Sequence, residues 1–270
     1  MKIKINREPF ANVFAIAAIV APTRSPKTIL QNVKLEATDS GVRLTATDME
    51  VGVRLSLDNV EVEAAGAAVI PVSRLNAILR ESSDEELNIS ADANKILVTG
   101  KQSRFELQGQ NPDEFPEVAG FSETDYYEIP ASTLKELIKR TLFATDAESS
   151  RYALSGVLLE VADDCLTAVG TDGRRLAKME AKITRHGNPE SAAGATIVPG
   201  RSMQLIERTL PSGDEVVQIA PRENDLLVKH ANGVFYTRLV EGRFPKWREV
   251  LPKRTDSIRI DLPVGPMFSA

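Results

Sequence analysis

Catalysis by side chains needs a nucleophile, a base or a set of metal ligands at defined spacing, and this sequence is poor in all three. It holds two histidines, His186 and His230, both in polar, loop-like surroundings, and one cysteine, Cys165. Cys165 lies in the apolar-alternating run Cys165-Leu166-Thr167-Ala168-Val169 and reads as a small buried residue. A single thiol forms no internal disulfide and no thiolate cluster. There is no P-loop, no Gly-x-Ser-x-Gly and no His or Cys pair at metal-ligand spacing. Asp48 and Asp172 fall at strand ends, where turn-making explains them. The sequence therefore implies no catalytic residue, metal or cofactor. An acid/base or substrate-binding protein with unrecognisable residues is the residual enzyme reading.

The side chains with an evident task are cations. Four helices are predicted, over 8–20, 72–82, 131–144 and 200–211. They carry Arg74, Arg80, Lys135, Lys139, Arg140, Arg201 and Arg208 against Glu8, Glu81, Glu136 and Glu207, a net +3 within a chain of net −5. A broadly acidic protein does not coat nucleic acid with its whole surface, but a local basic face can hold phosphates without reading sequence. An ordinary solvated helix face is the alternative.

Periodicity shows what would position those cations. Leu134, Leu137, Ile138 and Leu142 share one helix face, beginning near Ala131 with Ser132 or Thr133 as cap, and Phe10, Val13, Phe14 and Ala17 form the early counterpart. Lys135 and Lys139 lie off the apolar face. Alternating runs at 42–46, 104–108 and 234–239 read as strands. The longest apolar stretch, 13–21, is short of the ~20 residues a membrane span needs. The N-terminus Met1-Lys2-Ile3-Lys4-Ile5 carries no signal pattern. The protein is expected in the cytoplasm, with no membrane partner.

The same order of elements occurs twice, about 122 to 129 residues apart. Leu30-Gln31-Asn32-Val33-Lys34-Leu35-Glu36 returns as Leu154-Ser155-Gly156-Val157-Leu158-Leu159-Glu160, and Leu44-Thr45-Ala46-Thr47-Asp48 as Leu166-Thr167-Ala168-Val169-Gly170-Thr171-Asp172. Val69-Ile70-Pro71 returns as Ile197-Val198-Pro199, and Phe115-Pro116 as Phe244-Pro245. A duplicated α+β domain follows, each copy with two helices and mostly antiparallel strands. The expected domains are 1–120 and 121–253, with a linker around 119–125. Residues 257–262 read as a strand and 263–270 as the start of a helix, so 254–270 is expected to open a third copy.

Three segments are more specific: Ser150-Arg151-Tyr152-Ala153-Leu154-Ser155-Gly156-Val157, Thr171-Asp172-Gly173-Arg174-Arg175-Leu176-Ala177, and Leu239-Val240-Glu241-Gly242-Arg243-Phe244-Pro245 running on to Val250-Leu251-Pro252. Through them the chain resembles the β subunit of bacterial DNA polymerase III, the sliding clamp, over essentially all its length. The resemblance implies a DNA clamp fold of three similar domains, truncated here early in the third. Helices would line a central hole, sheets would lie outside, and two chains would close head to tail. It implies a non-enzymatic processivity factor for replication and repair that encircles duplex DNA without sequence specificity. The implied partners are double-stranded DNA, the DNA polymerase III alpha subunit, the clamp loader complex and other proteins with clamp-binding motifs, and a homodimer when the third domain is present. A truncated clamp-like scaffold that binds peptides without encircling DNA is the second reading.

Carried onto this sequence, the resemblance implies a DNA-binding set of Arg24 and Lys27 after the first helix, and Arg74, Arg80, Lys135, Lys139, Arg140 and Arg201 on helices. Ser149 and Tyr152 complete it in a loop where Glu148 is acidic at a position expected to be neutral. The implied peptide pocket is Arg151, Leu154, Thr171, Gly173, Arg174, Arg175, Leu176, Pro245 and Val250, apolar walls with a few polar groups. Plain core is the alternative for Leu154, Leu176 and Val250. Arg174 stands where a His can occur and Glu249 where a basic residue is common, so the preferred peptide can differ. Phe105 and Leu107 match a subunit interface on an edge strand. They share one strand face, so both facing the core is the alternative.

Overall fold

The computed structural model describes every residue except 59, 148–151, 188, 190–195, 232, 253–259, 262 and 270, and the side chains of 152, 266 and 269. Its elements occur twice in one order. The first unit runs β1 (Lys2–Asn6), α1 (Arg7–Val20), β2 (Asn32–Thr38), β3 (Gly41–Thr47), β4 (Val51–Leu57), β5 (Glu61–Ala64), β6 (Gly66–Pro71), α2 (Val72–Glu81), β7 (Glu86–Asp92), β8 (Lys95–Thr99) and β9 (Arg104–Gln108). The second runs β10 (Tyr126–Pro130), α3 (Ala131–Leu142), β11 (Gly156–Ala162), β12 (Cys165–Thr171), β13 (Leu176–Lys182), β14 (Thr184–His186), β15 (Thr196–Pro199), α4 (Gly200–Thr209), β16 (Val216–Pro221), β17 (Asp225–His230) and β18 (Gly233–Arg238). Two short helices follow, α5 (Trp247–Val250) and α6 (Val264–Ser269). From the strand expected over 257–262, Ile260 and Asp261 are irregular, and the other four lie outside the described residues.

Sheet order repeats as well. The order β5-β1-β7-β8-β9 corresponds to β14-β10-β16-β17-β18, and β4-β3-β2-β6 to β13-β12-β11-β15. β18 pairs antiparallel with β4, Phe235 opposite Val53 and Tyr236 opposite Gly52, so one nine-stranded sheet crosses from unit to unit. The connection between units passes over this seam on the face away from Val53 and Phe235, since neighbouring residues point to opposite faces. Val118 is buried there against Gly52, where a side chain would not fit: a Cβ would fall 2.6 Å from Val118 Cγ1. Arg54 Nη1 donates to Val118 O at 3.2 Å and fastens the same segment.

Each helix buries one stripe. Phe10, Phe14, Ala17 and Val20 of α1, Leu75, Ile78 and Leu79 of α2, Leu134, Leu137 and Ile138 of α3, and Met203, Leu205 and Ile206 of α4 join one core with the inward strand residues. Apart from Ala17, each such side chain contributes about 1.5–3 kcal/mol on burial. α1 touches α2 and α4, and α4 touches α3, so the four lie side by side in the order α2, α1, α4, α3.

Three expectations need correcting. Ser132 and Thr133 lie inside α3 and do not cap it. Glu215 O accepts from Ala131 N at 2.8 Å and Gly213 O from Ser132 N at 3.1 Å, so a loop satisfies the free N–H groups that a cap would otherwise take. The histidines are not in loops: His186 ends β14, stacked on Tyr126, and His230 ends β17, buried. Short strands flanked by polar residues read as loops because they carry little alternation. Cys165 begins β12 and is only half-buried.

Candidate nucleic-acid and peptide interfaces

Because the helices bury their apolar stripes, their cations project from the other side. Exposed Lys139 Nζ lies 3.6 Å from Glu207 on the neighbouring α4, and Arg140 donates to Glu136 one turn earlier on α3 at 2.5 Å. Lys135 is half-buried, with Nζ donating to Pro211 O at 3.0 Å. On α2, Arg80 pairs with Glu81 at 2.9 Å. Arg74, Arg208 and Arg24 have no ion pair among the described residues, and Lys27 is exposed beside Arg24. Exposed pairs of this kind are worth ~0–1 kcal/mol, so a phosphate can take these cations at little cost. Arg201 is engaged differently: it reaches Asp48 of the first unit at 2.5 Å, and that carboxylate is 8% exposed.

An open cleft of about 640 Å³ lies between α3 and α4, lined by Lys139, Phe143, Thr145, Arg201 and Gln204 among others. Phe143 is 59% exposed there. Ala147 also lines the cleft; Glu148, Ser149 and Arg151 lie outside the described residues, as does the side chain of Tyr152.

The turn between β12 and β13 is a polar knot. Thr171 Oγ1 donates to Arg175 O at 2.6 Å and accepts from Gly173 N at 3.1 Å. Asp172 Oδ1 accepts from Arg174 N and Arg175 N at 2.8 and 2.9 Å, and Oδ2 accepts from Arg175 Nε at 3.0 Å. The N–H groups of Arg175 and Arg174 hold the Asp172 carboxyl below its ordinary range, because they stabilise the anion. Gly173 has φ +85°, which favours glycine. The first unit builds the same turn with Thr47 and Asp48, and there Met49 takes φ +83°. The knot leaves Arg174 pointing to solvent and sets Arg175 over the Phe143 ring, 5.7 Å from its centroid.

Beside the turn lies a second, smaller apolar cluster. Ala153, Leu158, Val169, Ile197 and Trp247 are buried in it, with Leu176, Val240 and Phe244 half-buried against it. Leu154 is buried, Val250 is 69% exposed, and Pro245 is exposed. A groove of about 340 Å³ runs along Leu158, Glu160 and residues 244–249. Trp247 forms its floor. Trp247 Nε1 donates to Glu160 at 3.3 Å, and Arg248 pairs with the same carboxylate at 2.8 Å while covering the indole at 4.3 Å. Sequence reasoning overlooked Trp247 and Glu160; the one signal was that the chain's single tryptophan falls inside the third specific segment.

β9 pairs only with β8 among the described residues, so it is a sheet edge. Phe105 and Leu107 lie opposite Val98 and Ile96 and therefore on the core side. Leu107 is half-buried against the core, whereas Phe105 is 38% exposed.

Model domains of one family match most of the chain: the N-terminal domain of the DNA polymerase III beta subunit over residues 1–119 and its central domain over 128–246. Beta sliding clamps of Chlamydia pneumoniae and Haemophilus influenzae are each 30% identical, over 97% and 96% of this chain and 70% of their own length. The Escherichia coli beta sliding clamp is 28% identical over 95% of this chain and 69% of its own. Among solved structures, the Bacillus subtilis DNA polymerase sliding clamp superposes with TM-score 0.88 at 26% identity, and the Pseudomonas aeruginosa DnaN clamp bound to griselimycin with 0.84 at 30%, each over 94% of this chain and 68% of that one. Two units of paired helices on antiparallel sheets are the clamp architecture, and the chain belongs to the DNA polymerase III beta subunit family, the beta sliding clamps.

Proposed function

We propose that the chain acts as a processivity clamp whose row of helices faces duplex DNA and whose second unit anchors polymerases. The supporting observation is charge placement: the four predicted helix spans carry seven Lys or Arg against four Glu in a chain of net −5, and the helices lie side by side with their apolar stripes buried. A ring holds DNA by topology, so weak, salt-screened phosphate contacts suffice and let it slide. On this reading Arg24, Lys27, Arg74, Arg80, Lys135, Lys139, Arg140 and Arg201, with Ser149 and Tyr152, face phosphates. The turn Thr171–Leu176 with Arg151, Leu154, Pro245 and Val250 takes linear motifs of the DNA polymerase III alpha subunit, the clamp loader and other partners. Residues 1–120 and 121–253 are the first two clamp domains and 254–270 opens a third, through which two chains close on Phe105 and Leu107. The clamp itself performs no chemistry. No helix among the described residues is long and apolar enough to cross a membrane, and the proposed site of action is the cytoplasm.

The test is retention on DNA. Loaded on a nicked circle, the clamp should stay bound through a high-salt wash and be lost once the circle is linearised. Equal loss from both forms would mark a conventional binder and end the clamp reading for this chain.

A further inference from the structure

On the sheet face turned away from the helices, the two units carry matching rows of residues. In the second unit Leu158, Val169 and Lys178 stand opposite one another on β11, β12 and β13; in the first, Lys34, Thr45 and Arg54 do so on β2, β3 and β4. One step along, Glu160 faces Thr167 and Glu36 faces Arg43. The chain leaving each unit crosses these rows, as Phe244-Pro245-Lys246-Trp247 in the second and Phe115-Pro116-Glu117-Val118 in the first. The groove floored by Trp247 therefore has a counterpart in the first unit. It is a slot of about 200 Å³ between Lys34, Arg43, Thr45 and Arg54 below and residues 116–118 above.

The two differ in chemistry. Trp247, Leu158 and Val169 are buried together in one apolar cluster. Val118 takes the place of the tryptophan in the first unit, packs on Gly52, and is too short to close the slot. The row beneath has become polar, and three cations line it against two carboxylates, Glu36 and Glu117. Lys34 holds Glu36 at 3.0 Å, whereas Arg43 and Arg54 have no ion pair among the described residues. Val118 O takes one donor of the half-buried Arg54 guanidinium. Burial and the neighbouring charge of Arg43 lower the pKa of Arg54, opposed by Glu36 and Glu117. Two guanidinium groups brought together without a carboxylate between them repel, and a bound anion relieves that repulsion.

The geometry points to a binding site in this slot for a phosphate-sized oxyanion, held by Arg43 and Arg54 from the sides and by Lys34 and the Thr45 hydroxyl from the floor. Guanidinium forks match the oxygens of such an anion two at a time. The slot admits the anionic group itself, free or at the end of a small molecule, and no folded surface. Inorganic phosphate and the terminal phosphate of a nucleotide share this chemistry. The site lies across the sheet from the helix cations and is separate from the face proposed for DNA.

Inorganic phosphate, titrated at constant ionic strength, should shift the backbone amide signals of Thr45, Arg54 and Val118 saturably in nitrogen–proton correlation spectra. A nucleoside triphosphate separates the two sources: tighter binding at the same residues assigns the slot to a nucleotide, and equal or weaker binding to the free ion. Arg43→Gln should weaken phosphate roughly tenfold, the equivalent of one lost charge-assisted hydrogen bond, and Lys101→Gln, an exposed cation elsewhere, should leave it unchanged. Lys34→Leu with Thr45→Val, which copies the floor of the second unit, should abolish binding with circular dichroism unchanged. Glu117→Gln removes a carboxylate and should tighten it, so the site is tested by a gain as well as by losses. Shifts that do not saturate, or that fall only on the helix cations, overturn the inference. So does equal binding of acetate, or weaker binding by Glu117→Gln.

Discussion

Arg201, in the first turn of α4, donates to Asp48, in the turn after β3, and so ties the second unit to the first at 2.5 Å. The other oxygen of Asp48 already accepts from Glu50 N and Val51 N, so the carboxylate is fixed before the arginine arrives. Such a half-exposed pair contributes ~1 kcal/mol at most. Arg201→Ala should lower the thermal midpoint by about 2–4 °C, read by scanning calorimetry, and should disturb DNA retention less than changes on α3. A larger effect on DNA than on the midpoint would make Arg201 chiefly a phosphate contact.

Replacing Lys135, Lys139 and Arg140 with Ala should weaken DNA association most at low salt. Each lost phosphate contact flattens the slope of log affinity against log salt by about 0.9, so a change of about 2–3 is expected. Peptide binding should be unaffected. Parallel loss of both activities would point to misfolding.

Trp247 is the only tryptophan, so its emission reports, without labels, on the groove along residues 244–249. A clamp-binding peptide should shift that emission saturably. Leu176→Ala should weaken the peptide roughly tenfold, the equivalent of ~1.4 kcal/mol, with DNA retention intact. Trp247→Phe keeps an aromatic ring but loses part of the buried indole and the bond to Glu160, and should cost at least about 1 kcal/mol in urea unfolding. An emission spectrum indifferent to saturating peptide would move the binding site elsewhere.

Burial lowers the His230 imidazole pKa below its ordinary value, partly opposed by the nearby Glu215 carboxylate. A group whose folded value is depressed binds protons more readily when unfolded, so stability rises with pH through its range. The contribution is complete above the unfolded value of about 6.5 and is lost as pH falls towards the folded one. Urea midpoints should therefore drop between pH 7 and pH 5, and His230→Gln should flatten part of that drop. An identical drop in the variant would assign the effect to groups other than His230; Glu128, which Gln218 and His186 hold below its ordinary pKa, loses its contribution only at lower pH.

What was legible in the sequence was what repeats locally. Leu134, Leu137 and Ile138 announce the buried face of α3 by spacing alone, and the paired motifs around Asp48 and Asp172 mark two turns of one construction. The seam was not legible. Phe235 and Val53 read as ordinary inward residues, and nothing near either names a partner some 180 positions away. Asp48 likewise reads as a turn residue, and only the assembled fold brings Arg201 to it. The cap of α3 was misread because its N–H groups are satisfied by the loop at Gly213 and Glu215, which propensity at Ser132 does not reveal. Leu176 and Thr171 stand in a recognisable motif, whereas Glu160 acquires meaning only from the indole whose Nε1 it accepts from.

The strand ladder joining β4 to β18 has a mechanical corollary. Its backbone hydrogen bonds run across the strands, so tension applied along the row of units is carried along those bonds. The connection over Gly52 forms a covalent second path beside them. Between its two halves the chain is therefore joined twice, once by the strand ladder and once by the covalent connection.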